Sequence, residues 1–479
     1  MRTTALGGAA IALAPSLSGC LRPQDINTDR SVRVAIVGAG LAGLHAAWVL
    51  RNNGIVADVF EASHRVGGRC LTAKNLLAPN TWTELGGEFI DSGHADMLRL
   101  CATFNLDLID TDSLRSGTTD VYYFYGKQYT EADIAQQIAP FLNRIAADVG
   151  ILPEDLRNLP ISPASALDAM SMDAYFVSLG ISGWLRSFLE VAFVTENGLE
   201  LGEQSALNFV TSVATDVSDN TFRPFGVSDE RYVVRGGVQQ ITNNLAAPLR
   251  GNIHTGHTLK KIEHSGSRYV VTFATELETQ TIIADHVVLA LPFTSLRKAH
   301  INVDLPEKKR RAITELRYGM NGKIFLGFSH AAWRAAGYSG SVLTDLPIQL
   351  AWENIHLSDA NGGGLTAFYG GSAARVFGGM TKQQAAETIA RHLPEVWPDI
   401  APLTLGRTEQ MHWPTQPHIN ASYSSYAPGQ WTKFFGVEGA SVGNLHFAGE
   451  HCSLMHKGFM NGAAETGRIA AEKVIAALG

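Results

Sequence analysis

Three glycines within six positions, followed by an acidic residue about twenty positions later, could hold a diphosphate and a sugar. Gly38, Gly40 and Gly43 separate the apolar run 31–37 from the alanine-rich run LHAAWVL. Glycine permits a tight turn and a close backbone approach, and a helix that begins there offers free N–H groups and its dipole to an anion. Glu61 ends the next apolar run, where a carboxylate can accept bonds from ribose hydroxyls. The spacing predicts a strand, turn, helix and strand that bind a dinucleotide.

A second set of glycines distinguishes between the possible dinucleotides. The segment ASHRVGGRC follows Glu61 directly and carries Arg65, Gly67, Gly68 and Arg69. With TELGGEFI, residues 83–90, it resembles the flavin-containing amine oxidase family, which includes monoamine oxidases, polyamine oxidases and L-amino-acid oxidases. The resemblance implies that this turn passes beside the flavin half of FAD, where a side chain would collide with the ring. It also implies that the arginine meets the pyrophosphate.

The resemblance continues along nearly the whole chain. It includes YVVRGGVQQITNNLA (232–246), ADHVVLALP (284–292) and NLHFAGEHCSLMHKGFMNGAAETGRIAAEKV (444–474). It implies an α/β fold in which a Rossmann-like FAD-binding domain is interleaved with an α+β substrate-binding domain. The expected FAD-binding pieces are 31–88, 230–296 and 405–479, and the expected substrate-binding pieces are 89–229 and 297–404.

Cofactor contacts follow from the same resemblance, with Glu450 expected at the ribityl chain and the Met460 backbone N–H at the ring. Ser422 stands where monoamine oxidases carry a cysteine bonded to the flavin, which predicts noncovalent FAD. The residues expected to contact the cofactor are Gly38, Gly40, Leu41, Ala42, Gly43, Glu61, Ala62, Arg65, Gly67, Gly68, Arg69, Gly86, Gly87, Glu88, Leu259, Trp413, Gly449, Glu450, Gly458, Phe459 and Met460.

Four residues are expected to act in catalysis. By resemblance, Lys323 holds a water near flavin N5, and a buried cation there would help oxygen accept its first electron. Tyr423 and Phe459 fall where paired aromatic rings flank the amine, and Trp413 lies in the segment that runs under the flavin. The alternatives are a solvent-facing lysine and aromatic residues that only pack the core.

The turn LGGEFIDSGH predicts which substrate charge is accepted. L-Amino-acid oxidases of the snake type place an arginine here to bind the substrate carboxylate, whereas this chain has Phe89 between Glu88 and Asp91. Carboxylates favour an ammonium-bearing substrate. Both acids could equally form structural pairs or cap a helix that begins near His94.

The expected activity is oxidation of the C–N bond of a primary or secondary amine, with transfer of a hydride to flavin N5. The imine would hydrolyse, and O2 would be reduced to hydrogen peroxide. One alternative is an L-amino-acid oxidase whose carboxylate is bound by Arg223 or Arg317. Others are a desaturase of the same fold and a flavin-binding electron carrier without oxidase activity.

Composition narrows the partners. The net charge of −7 over 479 residues, with no basic cluster, argues against nucleic acid. His446, His451 and His456 with Cys452 lack the spacing of a structural zinc site, so no metal is expected. The G-x-S-x-G match around Ser441 has the wrong element order for a hydrolase. The oligomeric state stays open.

The N-terminus resembles a bacterial export signal. An apolar stretch follows Arg2 and ends at Leu17-Ser18-Gly19-Cys20, a pattern typical of a lipobox. Residues 1–30 are therefore expected to be a signal and tether, with the protein in the bacterial cell envelope or periplasm, exported folded and lipid-anchored through Cys20.

Further along, 131–214 is expected to be mostly helical, with breaks at Pro140, Pro153, Pro160 and Pro163. Strands are expected at 322–328 and near Phe368. The last helix should pack its small residues on a sheet.

Overall fold

The computed structural model describes residues 32–354, 362–397 and 405–479. The predicted signal segment 1–30, with Cys20, lies outside the described residues. The strands are β1 (Val34–Val37), β2 (Ala57–Phe60), β3 (Thr72–Lys74), β4 (Trp82–Glu84), β5 (Leu108–Asp110), β6 (Thr119–Phe124), β7 (Lys127–Tyr129), β8 (Tyr232–Val234), β9 (Ile253–His254), β10 (Thr258–Ser265), β11 (Arg268–Ala274), β12 (Thr279–Ala284), β13 (His286–Leu289), β14 (His300–Asn302), β15 (Asn321–Phe328), β16 (Tyr338–Thr344), β17 (Leu350–Glu353), β18 (Gly363–Gly370), β19 (Leu405–His412) and β20 (Leu445–Phe447).

The α-helices are α1 (Leu41–Asn52), α2 (Ala95–Thr103), α3 (Thr111–Arg115), α4 (Glu131–Gly150), α5 (Ser165–Ala169), α6 (Met172–Leu179), α7 (Gly183–Asn197), α8 (Leu207–Val210), α9 (Gln239–Ala246), α10 (Phe293–Leu296), α11 (Glu307–Glu315), α12 (Ala332–Ala335), α13 (Gly371–Gly378), α14 (Lys382–Val396), α15 (Trp431–Phe434) and α16 (Met460–Leu478). Among the helices of these described ranges, none combines the length and apolar character needed to span a bilayer.

A parallel sheet with strand order β20-β13-β1-β2-β9 carries the predicted dinucleotide turn. All four residues of β1, Val-Ala-Ile-Val, are buried, as expected for a strand covered on both faces. β1 pairs in parallel with both β13 and β2, in register Val34 with His286 and with Ala57. The predicted strand, glycine turn, helix and second strand are all present here.

A second sheet has the order β19-β15-β18-β17-β16-β6-β7 and is mostly antiparallel. Strand β15, second in this order, is buried throughout and pairs with β18, which confirms the two strands expected near 322–328 and Phe368. β19 pairs with β15 in this sheet, although it falls in the stretch 405–479 expected to bind FAD. The domain division itself stays a prediction.

The last helix packs against another helix, not against a sheet as predicted. A Cβ added to Gly467 would lie 2.2 Å from the carbonyl oxygen of Ala42, on α1. Ala470 and Val474 are buried on the same side, whereas Ala463 is only partly buried. The small residues therefore let α16 approach α1 closely.

The helical region 131–214 is confirmed, but two of the four expected breaks are wrong, because Pro160 lies inside a 3-10 helix (Leu156–Ile161) and Pro140 inside an α-helix. Pro140 lies inside α4, which runs unbroken from Glu131 to Gly150. A proline removes one backbone donor and disfavours a helical residue before it. Thr130 caps this helix through a capping box with Asp133, and its apolar face packs on the core, which offsets that cost.

Candidate active site

A cavity of about 1180 Å³ unites the predicted site residues, although they come from distant parts of the chain. Its volume exceeds the range of about 300–1,000 Å³ that is typical of small-molecule pockets. The predicted residues that line it are Gly38, Gly40, Leu41, Ala42, Glu61, Ala62, Arg65, Gly67, Gly68, Arg69, Gly86, Gly87, Glu88, Phe89, Asp91, Leu259, Lys323, Trp413, Tyr423, Gly449, Glu450, Gly458, Phe459 and Met460. Gly43 is the predicted residue that lies behind the wall.

The three glycines of the first turn do different work. Gly38 has φ +105°, a conformation that side chains disfavour, and a Cβ on Gly43 would lie 1.9 Å from the Gly38 carbonyl oxygen. A Cβ on Gly40 would meet no protein atom within 4 Å. α1 begins here without a side-chain cap or an acid in its first turn. No side chain of this turn therefore neutralises the partial positive charge of its free N–H groups at the cavity. This is the arrangement that a phosphate anion requires.

Glu61 follows the end of β2 and is fixed by backbone groups of the same turn. Its Oε2 accepts from the Ala39 N–H at 2.8 Å, and its Oε1 accepts from the N–H and hydroxyl of Ser63 at 2.9 and 2.8 Å. A carboxylate has about four acceptor positions. One position therefore remains for a hydroxyl donor from the cavity.

Protein atoms also require glycine at positions of the second set, and the expected passage of the turn beside the flavin stays a prediction. A Cβ on Gly86 would lie 1.7 Å from the Arg69 carbonyl oxygen, and one on Gly87 would lie 2.5 Å from the Met460 sulfur. Gly68 has φ +55°, and its carbonyl accepts from Arg65 at 2.8 Å. These glycines allow close packing of the turn, whatever also passes beside it.

Arg69 lies in a network with Glu450 at the cavity wall. Its Nη1 is 3.2 Å from Glu450 Oε1 and also donates to the carbonyl of Ser422. Glu450 Oε2 accepts from the Ser424 hydroxyl at 2.7 Å and the Gly458 N–H at 3.1 Å. Burial alone would raise the pKa of Glu450, but Arg69 and these donors lower it below its ordinary value. At least part of the Arg69 guanidinium is thus committed to protein, and its contact with a pyrophosphate stays a prediction.

Lys323 is buried in the middle of β15, which excludes the solvent-facing alternative. Its ammonium donates to the carbonyls of Glu84 at 3.1 Å and Gly86 at 2.9 Å, and to Glu88 Oε2 at 2.8 Å. Its side chain is 7% exposed and that of Glu88 is 8% exposed. A lysine has three N–H donors. In this arrangement no N–H is free for the water that the resemblance implies.

The aromatic residues line the cavity from three elements. Tyr423 donates its hydroxyl to the carbonyl of Glu196, and burial raises the pKa of Tyr423 well above its usual value. Phe459 precedes the first turn of α16 and packs edge-on against His94, with ring centroids 5.2 Å apart. Trp413 is buried and donates its Nε1–H to the Leu85 carbonyl at 3.0 Å. The facing of Tyr423 and Phe459 across a bound amine stays a prediction.

Asp91 is held by structural partners. This is the alternative role that the sequence left open for both acids of this turn. It accepts from the Ser228 hydroxyl at 2.8 Å and the Glu230 N–H at 3.1 Å, and its Oδ2 lies 3.4 Å from His94 Nε2. His94 is the N-cap residue of α2, and the first-turn N–H groups of Asp96 and Met97 donate to Asn461 Oδ1 at 3.0 and 3.1 Å rather than to an acid of this turn. Asp91 therefore pairs structurally while still lining the cavity.

Sequence reasoning missed four further carboxylates of the cavity, Glu131, Asp229, Glu196 and Glu230, and the last two have raised pKa values. Burial raises the pKa of Glu196 to about 7, and repulsion from Glu230 and Asp91 adds to the shift. Desolvation raises the pKa of Glu230 to about 7 as well, with Arg115 opposing and Asp91 reinforcing it. The Glu230 side chain is exposed and lines the cavity. No motif marks Glu196 or Glu230 in the sequence.

The two arginines considered for binding an α-carboxylate lie elsewhere. Arg223 pairs with Asp219, and Arg317 pairs with Glu203 at 2.6 Å, both on exposed surfaces. Neither lines the cavity. An amino-acid carboxylate would therefore have to use other groups.

The histidines near the C-terminus belong to separate contacts. His446 is 3.0 Å from the Ser441 hydroxyl and 3.5 Å from His286. Ser441 precedes the strand β20, so the strand-then-helix order of a nucleophile elbow is missing at this motif. Within the described ranges, no group of three or more His, Cys, Asp or Glu residues is placed to hold a metal.

Comparison with known proteins gives consistent results. The family model described as flavin containing amine oxidoreductase matches residues 41–475. The chain is 26% identical over 469 residues to a flavin-containing amine oxidase of Danio rerio, covering 94% of this chain and 87% of that protein. It is 26% identical over 509 residues to an L-amino-acid oxidase of Pseudechis australis, covering 98% and 94%. The structure of cyclohexylamine oxidase from Brevibacterium oxydans IH-35A superposes with a TM-score of 0.80 at 22% identity, covering 93% and 99%. This likeness confirms the predicted fold class.

Proposed function

Because the chain belongs to the flavin-containing amine oxidoreductase family, we propose that it is an FAD-dependent oxidase of primary or secondary amines. The predicted family and enzyme class, a flavin-dependent oxidoreductase acting on amines, are confirmed by this membership. The flavin, when bound, accepts two electrons as a hydride from the carbon next to the substrate nitrogen. The imine then takes up water to give a carbonyl compound and ammonia or an amine, and O2 takes up two electrons and two protons to give hydrogen peroxide.

FAD is proposed as the flavin because the cavity offers contacts for a dinucleotide and not only for a ring. The uncapped N-terminus of α1 and the open space at Gly40 suit a diphosphate, and the free acceptor position of Glu61 suits a ribose. Ser422 donates its hydroxyl to Asn321 Oδ1 at 2.6 Å and carries no thiol. A serine at this position supports noncovalent binding. Denaturation in acid should therefore release FAD into the supernatant.

The observation that carries the choice of substrate is the charge of the cavity. Asp91 lies close enough to raise the pKa of both Glu196 and Glu230 at this wall, with Arg115 as an opposing cation, while Lys323 and Glu88 neutralise each other. Carboxylates attract an ammonium ion and repel the carboxylate of an amino acid. This favours an amine over an L-amino acid.

The chain's own residues can also favour the reactive form of the amine. An ammonium has no lone pair to expel a hydride, so the substrate must lose a proton. Glu196 and Glu230 have pKa values near neutrality, which suits a proton acceptor at physiological pH. The apolar surfaces of Tyr423 and Phe459 then favour a neutral amine over a charged one.

The test is a substrate panel assayed by peroxide release. Monoamines, diamines and L-amino acids are supplied separately to purified, flavin-loaded protein. We expect peroxide with amines and little with amino acids. Peroxide with amino acids alone would establish the L-amino-acid oxidase alternative, and flavin reduction without peroxide would point to an electron carrier.

We also propose that the protein is exported and lipid-anchored through Cys20, on the sequence pattern alone. Expressed in a bacterium, the wild type should fractionate with membranes and incorporate a labelled fatty acid. Cys20→Ala should do neither, and equal labelling of both forms would contradict the proposal.

A further inference from the structure

The buried pair of Lys323 and Glu88 has a second support that fixes the carboxylate. Glu88 Oε1 accepts from the indole Nε1–H of Trp352 at 3.1 Å, and the Lys323 ammonium lies 5.2 Å from the Trp352 ring centroid. β15 and β17 carry Lys323 and Trp352, while Glu88 comes from the turn after β4. Both carboxylate oxygens of Glu88 are therefore occupied, and the pair cannot turn into the cavity without breaking several bonds.

This pairing determines the charge at one wall of the cavity. An ammonium and a carboxylate 2.8 Å apart have no net charge when seen from a ligand several ångströms away. Without Glu88, the wall would present a buried cation instead. That cation would attract anions and repel the ammonium form of an amine.

Resting on the proposed function, we propose that Glu88 is a specificity-determining residue: it cancels the charge of Lys323, so that the cavity accepts ammonium ligands and rejects carboxylates. The assignment stands on the contacts of one side chain with Lys323 and Trp352. Glu88 does not resemble a carboxylate-binding arginine. Its loss should nevertheless make the site favour anions.

The experiment measures binding of benzoate, a simple carboxylate, to flavin-loaded protein by isothermal titration calorimetry. Glu88→Gln should bind benzoate about tenfold more tightly than the wild type, a factor typical of one charge acting through a protein interior. It should also raise KM for a cationic amine by a similar factor. Glu88→Asp retains the charge, so its affinity for benzoate should stay weak. The exposed control Glu278→Gln should change neither the benzoate affinity nor KM for the amine.

The double variant Glu88→Gln with Lys323→Gln removes both charges and should return benzoate affinity to within about twofold of the wild type. If Glu88→Gln does not retain flavin, the single variant Lys323→Gln tests the proposal. The charge of Glu88 is then no longer cancelled, so the variant should bind benzoate more weakly than the wild type and a diamine more tightly. Unchanged benzoate affinity in the flavin-loaded single variants would overturn the proposal. Because benzoate binding needs no turnover, this failure is distinguishable from a failure of amine oxidation.

Discussion

A matched pair of glycine substitutions separates cofactor binding from folding. Gly40→Ala places a methyl group where no protein atom lies within 4 Å, at φ −75° and ψ −177°, which alanine adopts without strain. Alanine stiffens the unfolded chain, which stabilises the folded state, but it is a poorer N-cap residue than glycine, which destabilises it. Each effect on the free energy of unfolding is below about 1 kcal/mol, and the two oppose one another. We therefore expect the flavin-free variant to unfold within about 1 kcal/mol of the wild type. Its flavin dissociation constant should rise by about tenfold or more, because the methyl group enters the cavity.

Gly43→Ala should behave in the opposite way. Its Cβ would lie 1.9 Å from the Gly38 carbonyl oxygen and 3.2 Å from the Ala290 methyl, so α1 would have to move away from the sheet. Overpacking of this kind costs about 3 kcal/mol when backbone atoms are involved. Urea unfolding followed by circular dichroism gives the stabilities, and quenching of flavin fluorescence gives the affinities. Equal loss of stability in both variants, or wild-type flavin affinity in Gly40→Ala, would refute the assignment of Gly40 to the phosphates.

Three further outcomes follow from ionisable groups. Arg468 binds Asp96 at 2.8 and 3.1 Å, and this contact outweighs burial and lowers the pKa of Asp96. Asp96→Asn should therefore lose about 2 kcal/mol of unfolding free energy near pH 7. Urea titrations at several pH values should show this difference disappear as the pH falls through the lowered pKa of Asp96. Burial raises the pKa of Glu84 to about 8. The stability of the wild type should therefore fall as the pH rises from 4.5, the pKa of this group in the unfolded chain, toward 8. Glu84→Gln should lessen that fall by a few kcal/mol at most, and parallel melting curves for both proteins would argue against this account. Since the pKa of Glu196 is about 7, KM for an amine should decrease from about pH 6 to 8, and Glu196→Gln should show a shallower decrease in steady-state assays.

The parts of this site that the sequence predicts are local in the chain. The turn from Gly38 to Gly43 and the acid at Glu61 are fixed by strand, turn and helix signals within about thirty residues, so their geometry follows from their spacing. The strand containing Lys323 is visible from its apolar run. These elements are therefore accessible to reasoning from residue types alone.

The contacts that determine charge are not local. Glu88 and Lys323 are 235 positions apart, and Glu196 reaches the cavity at the end of α7, a helix with no functional motif. Nothing in the residues around Glu88 distinguishes a free carboxylate from one that neutralises a lysine on another sheet. The packing of α16 on α1 is of the same kind, because the small residues of a helix indicate a close approach but not the partner.

The central claim is that this cavity holds a flavin that an amine reduces. The most direct measurement is the visible absorbance of purified protein during anaerobic addition of an amine, followed by admission of oxygen. We predict that the flavin absorbance bleaches, returns with oxygen, and yields about one hydrogen peroxide per amine consumed. A flavin-loaded protein whose spectrum no amine bleaches, but which an L-amino acid reduces, would contradict the account.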